Sequence, residues 1–225
     1  MHAHIQQLQS VIDWNGLPRN GEHPIADPDA IAFQWSLVRE EAQETLDAIR
    51  DKNAREVLDG VCDLFVVAGY YAHIGTGQSA QALILGLPDL PILGRSEFPL
   101  PTIMSRLIEQ MSETPLETLR DVFVLVRLLE KIQIPMADMV AHTMDSNWSK
   151  FPLLGRLQGR PQDEALRIAE HFGVSTQVVP IITPCERVVF RDHGGAGKIR
   201  KPSMFWAPHY PDVYVSRIDR EFVYA

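Results

Sequence analysis

The stretch LVREEAQETLDAIRDKNAREVLDGVCDLFVVA, residues 37–68, restricts the fold more than any other part of the chain. It belongs to two runs with helical spacing, about 30–51 and 54–74, joined by the short link RDKN. A link of that length makes the two helices antiparallel neighbours. Both helices carry carboxylates about one turn apart. Side chains advance about 100° per residue around a helix, so Glu41 and Glu44 share a sector with Leu37 and Ala48. Glu40 and Asp47 border the polar side with Arg39 and Arg50. On the second helix Glu56, Asp59 and Asp63 form one stripe, which continues a turn later as Val66, Val67 and Tyr70. A solvated stripe would stay polar. This one is predicted to enter a packed interior.

Carboxylates so placed need compensation, because burial and neighbouring like charges both disfavour the ionised form. Basic partners are one remedy, but Arg39, Arg50, Lys52 and Arg55 fall near the polar face or the link. A divalent cation is the other. Mg²⁺ takes oxygen ligands in near-octahedral geometry and keeps several waters, and helical bundles build metal sites from facing helices. The competing reading is a charged, solvent-facing helix pair, since acids three apart also arise from ordinary helix surface composition.

The rest of the chain is predicted as a helical body with a small β appendage. A short helical start gives way to WNGLPRNGEHPIADPD, read as loop with Asp27 or Asp29 as the following cap. ILGLPDLPILGRSEFPLP (84–101) reads as an extended connector. Further helices are expected at about 102–113, 116–133, 136–148 and 163–172. After Gly173, TQVVPIIT, ERVVF and GKIRK have β character, and RDHGGAG between the last two reads as a hairpin loop. The expected division is a helical catalytic domain over 1–172, with an insertion at about 75–135, and a β-hairpin with its tail over 173–225.

The order of these pieces resembles the MazG-like all-α nucleoside triphosphate pyrophosphohydrolases, in the phage and bacterial branch that also resembles phosphoribosyl-ATP pyrophosphohydrolase. The resemblance lies in E-E-x-x-E at Glu40, Glu41 and Glu44, then E-x-x-D at Glu56 and Asp59. DGVCDLFVVAGYYA continues it, followed by SNWSK at 146–150 and the tail GKIRKPSMFWAPHYPDV. It spans about residues 30–74 and 136–213. Two departures stand out. About 60 residues, Gly75 to Pro135, separate pieces that are nearly contiguous in the family, and read as an inserted connector and helix pair serving as a lid or an oligomer contact. The second-helix motif also aligns two ways, as Glu56 with Asp59 or as Asp59 with Asp63.

The resemblance implies an all-α bundle that uses Mg²⁺, with Mn²⁺ as a substitute, to hydrolyse (deoxy)nucleoside triphosphates to monophosphate and pyrophosphate. It implies Glu41, Glu44, Glu56 and Asp59 as metal ligands, with Asp63 a further one, and Glu40 as the base that orients water. Asn147, Lys150, Lys198 and Lys201 are the implied substrate-binding residues. Without the resemblance Asn147 and Lys150 read as a helix end with a favourable cation. Lys198 and Lys201 read as ordinary charges beside an exposed strand. The implied assembly is a homodimer or homotetramer. Hydrolysis of phosphoribosyl-ATP and a non-enzymatic helical binding or assembly module are the two rival readings.

Composition narrows the classes further. The formal charge of −8 argues against a polymer nucleic-acid partner. No window approaches about 20 uninterrupted apolar residues, so no membrane partner is expected, and MHAHIQQLQS lacks the pattern of a secretory signal. Two cysteines, Cys62 and Cys185, fit the reducing cytoplasm taken as the default setting. GGAGK is not a phosphate loop, since its leading glycine is misplaced and no Ser or Thr follows Lys198. Trp148, Phe205, Trp206 and Tyr210 are candidates for stacking on a base, with packing as the commoner role of each. His142, His171, His193 and His209 show no zinc-like spacing.

Overall fold

The longest helix pair begins at Asp27, whose carboxylate accepts the N–H groups of Asp29 and Ala30 ahead of Pro28. Asp at the cap and Pro at the first helical position satisfy or remove the N–H groups a helix start leaves orphaned. Helix α2 (Pro28–Arg50) follows, then Asn53 caps α3 (Ala54–Thr76) by accepting the Glu56 N–H. Gly77, at φ 70°, ends α3 in the left-handed conformation that glycine adopts without strain. The computed structural model describes residues 1–87, 98–171, 178–192 and 199–223. Over these residues the fold is mainly helical, with one small two-stranded antiparallel sheet, as the sequence predicts.

The chain divides into two compact units rather than at residue 172. The first is Met1–Ile12, His23–Thr143 and His209–Ala225; the second is Asp13–Glu22 and Met144–Pro208. The boundaries fall inside helices α1 (His2–Gly16) and α7 (Met136–Ser149). The tail expected to belong with the hairpin is therefore part of the first unit from His209 onward.

In the first unit α2 and α3 are antiparallel and packed along their length. Their closest approach is at Gly60, where an added Cβ would stand 2.3 Å from Thr45 Oγ1 and 3.3 Å from Thr45 Cα. The Thr45 hydroxyl is fully buried and donates to the Glu41 carbonyl at 2.7 Å. About three turns back along α2, Gln34 Nε2 donates to the Val67 carbonyl at 3.0 Å. α3 is covered nearly all round, with Leu58, Val61, Cys62, Leu64, Phe65 and Ala68 fully buried. It is the helix among the described residues that is long and apolar enough to cross a membrane, yet 72% of that window is buried inside the protein. Its apolar content is that of a core helix.

Much of the covering comes from α6 (Pro115–Lys131), which packs on α3. Leu119, Val122, Leu125, Val126 and Leu129 are fully buried, each such burial contributing about 1.5–3 kcal/mol. Residues 75–135 are thus not a lid carried on the fold. They include one of its central helices, because α6 has the apolar stripe at intervals of three and four that a core position demands. Between them lie α4 (Ala80–Gly86), which replaces the start of the expected connector, and α5 (Leu100–Glu109), which contacts α2 and α6. The remainder of the connector, 88–97, lies outside the described residues. The C-terminal stretch, expected only as a tail, forms α9 (Asp212–Val223) against α3 and α5.

The second unit has its own small core. Ala165, Ile168, Val178, Val188 and Phe190 cluster under Leu154 and Leu157. They come from α8 (Pro161–His171) and from strands β1 (Val179–Ile182) and β2 (Val188–Arg191), paired with Val179 opposite Arg191. The hairpin therefore joins TQVVPIIT to ERVVF through Thr183–Arg187, a turn in which Glu186 takes φ 57°. GKIRK contributes an isolated bridge, Ile199 to Arg191, and the expected loop at 193–197 lies outside the described residues. Trp14 stacks on Phe151 with centroids 5.0 Å apart, within a helical segment where loop was expected.

Candidate functional site

The acidic residues of α2 and α3 take three different settings. On α2 the buried face runs through Val38, Thr45 and Ala48. Glu41 lies on that same stripe and is half-buried, whereas Glu40 and Glu44 are exposed. Glu44 was expected beside Glu41 in the apolar sector. It stands outside because the contact with α3 is centred on Thr45 and Gly60, which leaves the next position round the helix at the rim. On α3, Asp59 and Asp63 are half-buried and Glu56 is exposed.

The antiparallel register brings four of these acids into line. With Gln34 bonded to Val67 and Thr45 against Gly60, Glu41 stands level with Asp63 and Glu44 level with Asp59. Glu56 is one turn nearer the link. Glu40 is turned about 100° from Glu41 and lines an open groove of about 480 Å³ between α2 and α5, with Trp35, Arg39, Gln43, Leu46 and Ile108. Glu40 is four residues from Glu44, so these two exposed carboxylates lie one turn apart on the same side of α2. Among the described residues no three of His, Cys, Asp and Glu form a ready-made metal group.

Asp59 has a partner that sequence reasoning missed. The Tyr210 hydroxyl donates to Asp59 Oδ1 at 2.6 Å and lies 2.7 Å from the Thr143 hydroxyl. Tyr210 is 1% exposed, so it is a packed residue rather than a platform for a base. Burial pushes its phenol above the ordinary value, and the Cys62 and Asp59 charges push in the same direction. The Cys62 thiol, fully buried beside it, is likewise held up by burial first and then by Asp63. Cys62 is therefore a thiol, not a nucleophile. Both shifts describe a dry region with negative potential under the Asp59–Asp63 stripe. The only sequence signal for this arrangement was the place of Tyr210 in the HYPD segment of the tail.

Two of the nearby cations, Arg50 and Arg55, have partners of their own. Arg50 pairs with Asp47 at 2.7 Å, and Arg55 pairs with Asp212 at 2.7 Å while reaching the Tyr210 carbonyl. Arg55 thereby ties α3 to the start of α9 and does not serve the acidic stripe.

The remaining expected residues belong to the second unit. Asn147 is 6% exposed, and its Oδ1 accepts from Lys150 Nζ at 2.6 Å. The Asn147 carbonyl accepts from Trp14 Nε1 at 2.8 Å, and the Lys150 ammonium stands 5.5 Å from the Trp14 ring centroid. The two signature residues therefore bond to each other. Lys201 is exposed, its ammonium 4.4 Å over the Phe205 ring. Lys198 and His193 lie outside the described residues. Trp148 is covered by Arg187 at 4.9 Å, and Trp206 is 48% exposed.

No family model, no curated protein and no solved structure matches this chain.

Proposed function

We propose that the chain is a Mg²⁺-dependent pyrophosphohydrolase that converts (deoxy)nucleoside triphosphates to monophosphate and pyrophosphate, with a role in cleaning or remodelling the nucleotide pool. The observation that carries this reading is the α2–α3 register, which sets Glu41 level with Asp63 and Glu44 level with Asp59 across two tightly packed helices. Mg²⁺ is commonly held by one or two carboxylates together with waters and substrate phosphates. The donor set therefore fits that ion without a closed group of three protein ligands. Glu41, Glu44, Asp59 and Asp63 are the residues that would hold it, with Glu56 at the open end of the row.

When bound, the metal would neutralise phosphate charge and lower the pKa of a coordinated water. The protein's own contribution is positional. Tyr210 fixes one oxygen of Asp59. The Thr45–Gly60 contact holds the two helices at a fixed separation. A carboxylate orients the attacking water as its general base, and Glu40 and Glu44, both exposed on α2, are the candidates. Phosphoryl transfer asks mainly for such positioning and charge compensation. The reading carries with it a homodimer or homotetramer, since two helices do not enclose a nucleotide, and a cytoplasmic setting where nucleotides and Mg²⁺ are abundant.

The test is incubation of the purified protein with each NTP and dNTP plus Mg²⁺, with products separated by ion exchange. Monophosphate and pyrophosphate are expected. No turnover of any nucleotide, with Mn²⁺ also tried, overturns the reading in favour of phosphoribosyl-ATP hydrolysis or a non-enzymatic module.

A further inference from the structure

A second cavity, of about 480 Å³, lies wholly within the second unit between α8 and residues 201–205. Its chemistry is opposite to that of the acidic row. Arg167, His171 and Lys201 line it, with Ile168, Pro202 and Phe205 as its apolar wall. In a chain of net charge −8, a pocket with three cationic or titratable bases is out of character.

Its one carboxylate, Glu164, is already used. Glu164 is 2% exposed, its Oε1 accepting the Ser203 N–H at 2.5 Å and its Oε2 paired with Arg167 at 2.7 Å. That double bond fastens residues 201–205 onto α8 and so builds the cavity's two sides. It also neutralises a single positive charge. Lys201 has no carboxylate partner among the described residues, so the pocket stays positive. Arg167 is half exposed and has five N–H donors in its fork, of which the Glu164 pair takes a part. It also donates to the Gln158 carbonyl at 3.3 Å, and its planar fork is of the kind that matches phosphate oxygens.

We infer that this pocket binds a small phosphorylated anion, its phosphoryl group held by Arg167 and Lys201 and the body of the ligand laid against Ile168 and Phe205. A doubly charged phosphate suits two cations better than a single carboxylate does. The inference goes beyond the proposed hydrolysis: Lys201 is shared with the substrate residues the resemblance implies, but Arg167, Ile168 and Phe205 are not, and no residue of the pocket belongs to the acidic row.

The experiment is titration calorimetry on the full chain in EDTA, so that metal-dependent binding at the acidic row is silent. The probes are inorganic phosphate, pyrophosphate, a nucleoside monophosphate and, as comparison, succinate. Saturable binding of a phosphate probe is expected, weakened about tenfold or more by Lys201→Gln, the loss of one charge-assisted contact. The variant's folding is checked by circular dichroism; Lys201 is exposed, so its removal leaves the core intact. Binding is expected to persist in Glu41→Gln/Glu44→Gln, which separates this result from any failure of the hydrolysis reading. Absence of saturable phosphate binding overturns the inference. So does unchanged affinity in Lys201→Gln, or succinate binding as tightly as the phosphates.

Discussion

Asp59 and Glu164 are both acids drawn into packed regions, but the two units treat them differently. In the second unit Glu164 meets a guanidinium and a backbone N–H, which cancels its charge and turns it into a fastening. In the first unit Asp59 meets a neutral phenol, which orients the carboxylate and leaves its negative charge in place. A cation-paired acid has no need of a further ligand. An acid paired with a phenol, beside a second acid, still attracts a cation. The comparison separates structural carboxylates from functional ones by the charge of their partners rather than by burial, since Glu164 is the more buried of the two.

The largest expected effect comes from removing charge on the α2 side of the acidic row. Glu41→Gln with Glu44→Gln should lower nucleotide turnover by at least about a hundredfold, the scale of losing an electrostatic group at a reacting phosphate. Steady-state kinetics checks this, with circular dichroism to show an unchanged fold. In the same variant Mg²⁺ should no longer raise the melting temperature. In the unmodified protein, Mg²⁺ at a hundredfold excess over its Kd should add about 2.7 kcal/mol.

Next is the helix contact that holds the row together. Gly60→Ala places a methyl group 2.3 Å from Thr45 Oγ1, and overpacking of this kind costs about 1–3 kcal/mol. Denaturant unfolding should show that loss, and Thr45→Ser should not rescue it, because Oγ1 remains in the way. An unchanged midpoint would mean that the two helices are further apart than described.

Tyr210→Phe sharpens the comparison directly. It removes the donor to Asp59 and costs about 1 kcal/mol of stability, but weakens Mg²⁺ affinity by about 10- to 100-fold if Asp59 is a ligand oriented through its partner. The same stability loss with no change in Mg²⁺ affinity would make Asp59 a structural acid like Glu164.

The smallest effect is a titration. Burial tends to raise the Glu130 carboxyl, but hydrogen bonds and charge from His4 and Arg127 outweigh it and hold Glu130 below its ordinary value of 4.5. Its stabilising contribution is therefore present above about pH 4.5 and is lost as pH falls through the lower, folded value. Urea midpoints measured between neutral and acid pH should fall less steeply in Glu130→Gln than in the unmodified protein.

The long helices were legible because their apolar residues recur at intervals of three and four over many turns. Where one local signal stood for a whole element, the reading failed. GGAG marked the connection from ERVVF to GKIRK, whose ends do pair through the antiparallel Arg191–Ile199 bridge, but the turn from TQVVPIIT to ERVVF was not read, because it carries no glycine and places Glu186 at positive φ. Pro211 read as part of the C-terminal tail, although a proline just ahead of a helix is favourable, and α9 follows it. α6 was legible as a helix at about 116–133, but its place beside α3 was not, since packing partners are set by the whole fold. In the candidate site, Glu41, Asp59 and Asp63 were recognisable from their helical stripe. The exposure of Glu44 and the Tyr210 bond were not, since each depends on which element packs alongside, more than 100 residues away in the case of Tyr210.

The measurement that bears most directly on the acidic row is hydrolysis of a nucleoside triphosphate in ¹⁸O-water with Mg²⁺, read by mass spectrometry of both products. The account predicts monophosphate and pyrophosphate with the label in the monophosphate, and loss of both products in Glu41→Gln/Glu44→Gln. Label in pyrophosphate, release of inorganic phosphate alone, or turnover that survives the double substitution would contradict it.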